Sequence, residues 1–242
     1  MEKIIIYSGL AGLATCLGGL LVIWVRNPGE RFLASTLGLA AGIMFGVTIL
    51  DLLPSAWIFG TPTKFFAGLG SGILFMRLLD AILTQTTPRL PRTRDPIHFL
   101  HMGYLVAIGI ALHDLPEGMA IAVGYEATEE LGLIIALAIA LHNIPEGMAI
   151  ALPLKIGGAK AKTIIFIALL ASFCTPLGTL AGMVLISFSR HFISFLLAAA
   201  AGAMLYIVFA ELGPESKRRH PNFAKLGAVL GMLLIGLLSL PV

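Results

Sequence analysis

Charge is scarce in this 242-residue chain, with charged residues at 12% of the total, where an ordinary soluble domain carries about a quarter. So little polar surface cannot cover a water-soluble globule, which excludes a soluble enzyme and a disordered chain. Cysteine is scarcer still. Cys16 and Cys174 both lie in apolar stretches, so neither a disulfide framework nor a thiolate metal site is expected, and both read as small core residues. No polar linker divides the chain, and a single domain over 1–242 is expected. What is abundant is apolar side chain: 58% of residues are hydrophobic and the mean hydropathy is +0.96. The class is an integral membrane protein, with the lipid bilayer as its surroundings and no nucleic-acid partner.

A membrane-crossing helix needs about 20 apolar residues. Stretches of that kind fall near 4–25, 32–53, 64–84, 98–124, 130–153, 163–187, 192–212 and 222–240. The predicted fold class is therefore all-α, a polytopic bundle of eight transmembrane helices. The first stretch is read as a retained span, because Glu2 and Lys3 cancel ahead of it and no small-residue cleavage site follows. Basic residues set the orientation. With the odd-numbered loops inside, the inner face collects Arg26, Arg31, Arg89, Arg92, Arg94, Lys155, Lys160, Lys162, Lys217, Arg218, Arg219 and Lys225, against Lys3, Lys64 and Arg190 outside. That asymmetry places both termini outside. In the third span Arg77 and Asp80 are three residues apart and are read as a local ion pair.

The chain repeats itself twice. His113-Asp114-Leu115-Pro116-Glu117-Gly118 recurs as His142-Asn143-Ile144-Pro145-Glu146-Gly147. At a longer offset, Ala40 to Pro54 matches Ala200 to Pro214, and Thr15, Leu17 and Gly18 match Thr175, Leu177 and Gly178. Five spans separate the members of the longer repeat, so its two copies are inverted in the membrane. The architecture is 3+2+3, with repeat 1 at about 4–84, a central helix pair at about 98–153 and repeat 2 at about 163–240. Inverted repeats flanking a midplane site characterise transporters. Gly38, Gly42 and Gly46 form a small-residue stripe suited to close helix packing.

The short repeat carries the chemistry. His113 and Glu117 are four apart, as are His142 and Glu146, so each pair projects from one helical face. Asp114 and Asn143 sit beside them. Together these are two imidazoles, three carboxylates and one amide at mid-membrane depth, where unpaired charge is expensive. No lysine or arginine lies between 98 and 153 to offset the carboxylates. Something positive must be supplied, either protons or a divalent metal. Pro116 and Pro145 free the carbonyls of Leu112 and Leu141, and irregular backbone at this depth lines a protein interior or a wet cavity. Nitrogen and carboxylate donors without thiolate favour Zn²⁺, Fe²⁺, Mn²⁺, Co²⁺ or Cd²⁺ over Cu⁺, Ca²⁺ or Mg²⁺.

These two motifs resemble the fourth and fifth spans of the ZIP (Zrt/Irt-like) metal transporters, and the eight spans, outer termini and 3+2+3 repeat match over essentially the whole chain. The resemblance implies uptake of Zn²⁺ and related divalent cations into the cytoplasm. It implies His113, Glu117, His142 and Glu146 as primary metal ligands, with Asp114 and Asn143 at a neighbouring second position, no prosthetic group, and a homodimer. Two departures stand out: many members have Asn where this chain has Asp114, and an acidic residue where it has Thr175. The His-rich cytoplasmic loop of some members is absent, and His98 and His101 are expected as solvated interface histidines.

Asp51 and Glu211 correspond across the longer repeat and are expected to mark outer and inner portals, with Glu215 continuing the inner one. The expected motion is a rocking of the two three-helix repeats against the central pair. A membrane protease would need His-Glu-x-x-His and a di-iron oxidase Glu-x-x-His pairs; neither occurs in this sequence, so no enzymatic activity is expected. The rival reading is a proton-linked transporter of another cation or solute, using the histidines and carboxylates as a relay. Short loops and no transit peptide fit a prokaryotic inner membrane.

Overall fold

The computed structural model describes residues 2–26, 28–85, 96–185 and 190–238, which are helical almost throughout and contain no strand. A backbone in lipid must satisfy its own hydrogen bonds, and the helix does this within one segment. Among the described residues, eight helices are long and apolar enough to cross a membrane: α1 (Glu2–Trp24), α2 (Glu30–Phe59), α3 (Pro62–Leu83), α4 (Pro96–Glu126), α5 (Glu129–Ile156), α6 (Ala161–Val184), α7 (Ile193–Arg219) and α8 (Pro221–Leu238). Arg89, Arg92 and Arg94, which count towards the expected inner face, lie outside the described residues, as do the last positions of the stretch predicted to 240.

Two helices outrun their predicted ends. The stretches expected at 32–53 and 192–212 end just before Pro54 and Pro214, but α2 continues to Phe59 and α7 to Arg219. The cause is the same in both repeats. A proline has no N–H for the carbonyl four residues back, and a wider turn just before it takes up the mismatch. Thr48–Leu52 and Ile207–Leu212 are π-helical. The Leu53 N–H donates to the Thr48 carbonyl and the Gly213 N–H to the Val208 carbonyl, five residues back in each case and at equivalent places in the repeat. Pro176 acts differently. It leaves the Ser172 carbonyl without its helical donor, and α6 is interrupted at Phe173; that carbonyl abuts Gly12 of α1.

Glycine contacts fix the directions of the helices. Thr128 caps α5, its hydroxyl accepting from the Leu131 N–H at 3.1 Å, and the chain turns back sharply. Gly124 meets Gly132, and Gly103 meets Leu154, so α4 and α5 are antiparallel. Gly147 meets Thr15, Asn143 meets Ala11 and Lys155 meets Val22, so α1 runs parallel to α5. Gly178 meets Leu115, and Gly182 meets Met119 and Ala122, so α6 runs parallel to α4. It follows that α1 and α6 oppose each other, as an inverted repeat requires. In the same way Gly38 and Gly42 meet Ala224 and Ala228 of α8, while Gly68 and Gly72 meet Phe195 and Ala199 of α7. The Gly38–Gly42–Gly46 stripe is a packing seam, as the sequence suggests, with Gly46 against Ile235.

These seams do not follow the repeats. Backbone-to-backbone approaches tie α1, α4, α5 and α6 into one set and pair α2 with α8 and α3 with α7 in another. A core of Ile43, Val47, Leu52, Leu197, Ala201 and Ile235 joins α2, α7 and α8. Between the sets the glycine contact is with side chains: Gly109 of α4 faces Ile207 and Met76.

Candidate metal site

His113, Asp114 and Glu117 lie near the middle of α4, and His142, Asn143 and Glu146 near the middle of α5. All six side chains are buried. Both helices run unbroken through Pro116 and Pro145. Gly118 and Gly147 press against α6 and α1 respectively, which turns the motif faces inward.

The centre of the site is one oxygen. Glu117 Oε1 lies 2.8 Å from His113 Nε2 and 2.8 Å from His142 Nε2. His113, Glu117 and His142 thus each offer a ligand atom within 4.8 Å of the others. Glu146 is close enough to act electrostatically on both histidines and on Glu117. Around this triad the acceptors are unsatisfied. Glu117 Oε2, both oxygens of Asp114, both oxygens of Glu146 and Asn143 Oδ1 are buried without a hydrogen-bond partner among the described residues. The Asn143 amide is anchored by its nitrogen, which donates to the Ala11 carbonyl at 3.0 Å. Thr175 faces Asp114, and the Thr15 and Thr175 hydroxyls are themselves buried and unpartnered.

A buried acceptor without a donor costs about 1–3 kcal/mol, and a charged one more. Six such atoms around two imidazoles make this the candidate metal site. The donors are imidazole nitrogen, carboxylate and amide oxygen, which suit a borderline divalent metal. Cys16 is buried on α1 and Cys174 is partly exposed on α6, and both are free thiols.

Comparison with known proteins agrees. The profile described as "ZIP Zinc transporter" matches residues 92–239. The chain is 34% identical to the zinc transporter ZupT of Chlorobium luteolum, over 94% of this chain and 93% of that protein. It is 36% identical to ZupT of Escherichia fergusonii over 98% and 96%, and 30% identical to ZupT of Streptococcus mutans over 95% and 94%. The chain belongs to the ZIP family. It is a multi-pass membrane protein of a transporter family, and the proton-relay rival is not favoured.

The remaining candidate residues of this ZIP chain fall at two levels. Asp51 sits in the π-turn of α2, close enough to His142 to act on it electrostatically. Glu211 sits in the matching π-turn of α7 and acts on Tyr206. Glu215 is buried in an ion-pair network. It accepts from Arg219 Nε at 2.7 Å and from Arg218, while Arg219 also reaches Glu30 at 3.3 Å and lies over the Phe99 ring.

The expectation of solvated histidines near the start of α4 is overturned. His98 lies 3.7 Å from Glu215 and His101 lies 3.3 Å from Asp80, and both are largely buried. Asp80 also accepts from Tyr206 of α7 at 2.8 Å. Packing between helices brings these groups together, and spacing along one helix does not foretell it. The signal for Thr15 beside the site was present: it stands at the repeat position of Thr175. Nothing in the local sequence marks Lys155, whose ammonium caps α1 by donating to the carbonyls of Val22, Ile23 and Val25.

Proposed function

We propose that this chain carries divalent metal ions, Zn²⁺ foremost and related Cd²⁺, Fe²⁺, Mn²⁺ or Co²⁺ with it, across the membrane into the cytoplasm. The observation that carries this reading is the cluster of buried, unpartnered carboxylate oxygens around the His113–Glu117–His142 triad. His113, Glu117, His142 and Glu146 serve as primary ligands, and Asp114 and Asn143 supply a neighbouring position. The metal is cargo, so no prosthetic group and no catalysis are invoked. That the relatives are named zinc transporters supports the choice of Zn²⁺.

The basic loops support a plasma membrane orientation with both termini outside. Asp51 then stands on the outer approach, and Glu211 with Glu215 on the inner one. The two exposed helices α3 and α8 offer the surface for a homodimer. The grouping of helices bears on the motion. All six site residues belong to the set α1, α4, α5 and α6, which is bound by backbone seams, and its contact with α2, α3, α7 and α8 includes side chains such as Ile207 and Met76 at Gly109. On this reading the site moves with that set as the set shifts against the other, an alternative to the expected rocking of the two three-helix repeats against the central pair.

The test is Zn²⁺ flux into proteoliposomes holding a metal-sensing dye, with the native protein beside the double variant Glu117→Ala, Glu146→Ala. Saturable native flux that the folded double variant lacks supports the reading. Native protein that is folded yet inert towards Zn²⁺, Cd²⁺, Fe²⁺ and Mn²⁺ defeats it.

A further inference from the structure

A groove of about 470 Å³ opens between α2, α7 and α8 at the basic end of the bundle. Its walls are apolar: Ala41 and Phe45 from α2, Val208 and Phe209 from α7, Ala228 and Met232 from α8. Gly38, Gly42 and Gly213 also line it, the first two where α2 packs closely on Ala224 and Ala228 of α8, and the π-turn ending at Leu212 lies beside it in α7. A groove of this kind on a membrane-spanning surface is filled by lipid chains in any bilayer. A second cleft, of about 440 Å³ between α3, α4, α6 and α7, has no charged residue in its lining.

The groove on α2, α7 and α8 differs at its mouth. Lys217, near the end of α7, and Lys225, early in α8, both line it, and no carboxylate does. The adjacent Arg218 and Arg219 spend their charge on Glu215 and Glu30. Neither lysine has such a partner among the described residues, and both are exposed. A lysine here lays its aliphatic stem along the apolar wall and holds its ammonium at the water boundary. Two uncompensated ammonium groups over an apolar slot match the two halves of one molecule, a negatively charged phosphate head and an acyl chain.

We propose that this groove is a binding site for an anionic phospholipid, with one acyl chain between Phe45, Phe209 and Met232 and the headgroup phosphate on Lys217 and Lys225. Each basic residue near a membrane surface favours an anionic lipid about fivefold, and two about 25-fold. The bound lipid braces α7 against α2 and α8 beside the turn that carries Glu211. The site stands independently of what the chain transports, so its test does not depend on metal.

Purified protein in detergent is offered equimolar phosphatidylglycerol and phosphatidylcholine with the same acyl chains, and retained lipid is read by native mass spectrometry. The native protein is expected to keep one phosphatidylglycerol in preference to phosphatidylcholine. The double variant Lys217→Gln, Lys225→Gln is expected to lose that preference at least tenfold. Lys160→Gln with Lys162→Gln removes two exposed lysines outside the groove and is expected to leave the preference intact. No preference in the native protein, an unchanged preference in the groove variant, or an equal loss in both variants overturns the proposal.

Discussion

Glu117 on α4 and His142 on α5 are joined across the helix pair by a 2.8 Å hydrogen bond. His113 Nε2 lies at the same distance from the same oxygen. A single carboxylate thus gathers two imidazoles from two helices, and the other carboxylates of the cluster are left without donors. On the proposed reading, these free acceptors are where a cation would be held.

Replacing Glu117 with Gln keeps the shape and removes the charge that both histidines share. Zn²⁺ at 100 times its dissociation constant stabilises a folded protein by about 2.7 kcal/mol. The native chain is expected to show a corresponding rise in Tm in detergent on adding Zn²⁺, and Glu117→Gln to show little or none. An undiminished Zn²⁺ shift in the variant would remove Glu117 from the ligand set.

Glu146 separates stability from binding. Both of its oxygens are buried and unpartnered, so in the metal-free protein its charge is a cost. Glu146→Gln is expected to leave metal-free stability equal or higher while weakening Zn²⁺ binding at least tenfold, as read by calorimetry. Destabilisation of the metal-free variant would mean that Glu146 is held by contacts of structural importance.

Protons compete for the same atoms. A bound metal requires ionised carboxylates and neutral imidazoles, so metal binding releases protons. Zn²⁺ affinity is therefore expected to fall as pH is lowered from 7.5 to 5.5, and binding heats to change with buffer ionisation enthalpy. Heats independent of the buffer would show that the ligands are already stripped of protons before metal arrives.

Much of this was legible in the sequence, for reasons that are local. Eight spans follow from runs of about 20 apolar residues, and the meeting of His113, Glu117 and His142 fits His113 and Glu117 falling four apart and recurring as His142 and Glu146. The seam through Gly38, Gly42 and Gly46 was readable for the same reason. What was not legible depends on how helices meet. The expected spans end at 53 and 212, next to Pro54 and Pro214, yet a π-turn absorbs each proline and the helix runs on. His98 and His101 look solvated because their partners, Glu215 and Asp80, come from α7 and α3. The grouping of α1 with α5 and of α6 with α4 rests on glycine contacts that cross the repeat boundaries.

Those contacts make a graded test of the packing. A Cβ on Gly118 would meet backbone atoms of Thr175, Gly178 and Thr179, whereas a Cβ on Gly70 would meet nothing within 4 Å. Overpacking of a tight contact costs about 1–3 kcal/mol, while Gly to Ala in an open helix gains about 0.5–1 kcal/mol. Gly118→Ala is expected to lower the Tm and to impair transport, and Gly70→Ala to hold or raise the Tm. Equal behaviour of the two variants would mean that α4 and α6 are not in close contact.

The ion-pair network at the basic end gives the last test. Glu215 has a side chain only 2% exposed, and Arg219 is 11% exposed against 44% for Arg218. Removing one partner of a buried pair costs about 3–5 kcal/mol, because the other charge is left behind, while a solvated partner is worth about 0–1 kcal/mol. Arg219 also ties Glu30 of α2 to Glu215 of α7 and packs on Phe99 of α4, so its loss touches three helices. Arg219→Ala is thus expected to destabilise the protein by several times as much as Arg218→Ala. Adding Glu215→Gln to Arg219→Ala is expected to recover part of the loss, because it removes the stranded charge. Equal effects of the two arginine substitutions, or no recovery in the double variant, would show that Glu215 draws its stability from other groups.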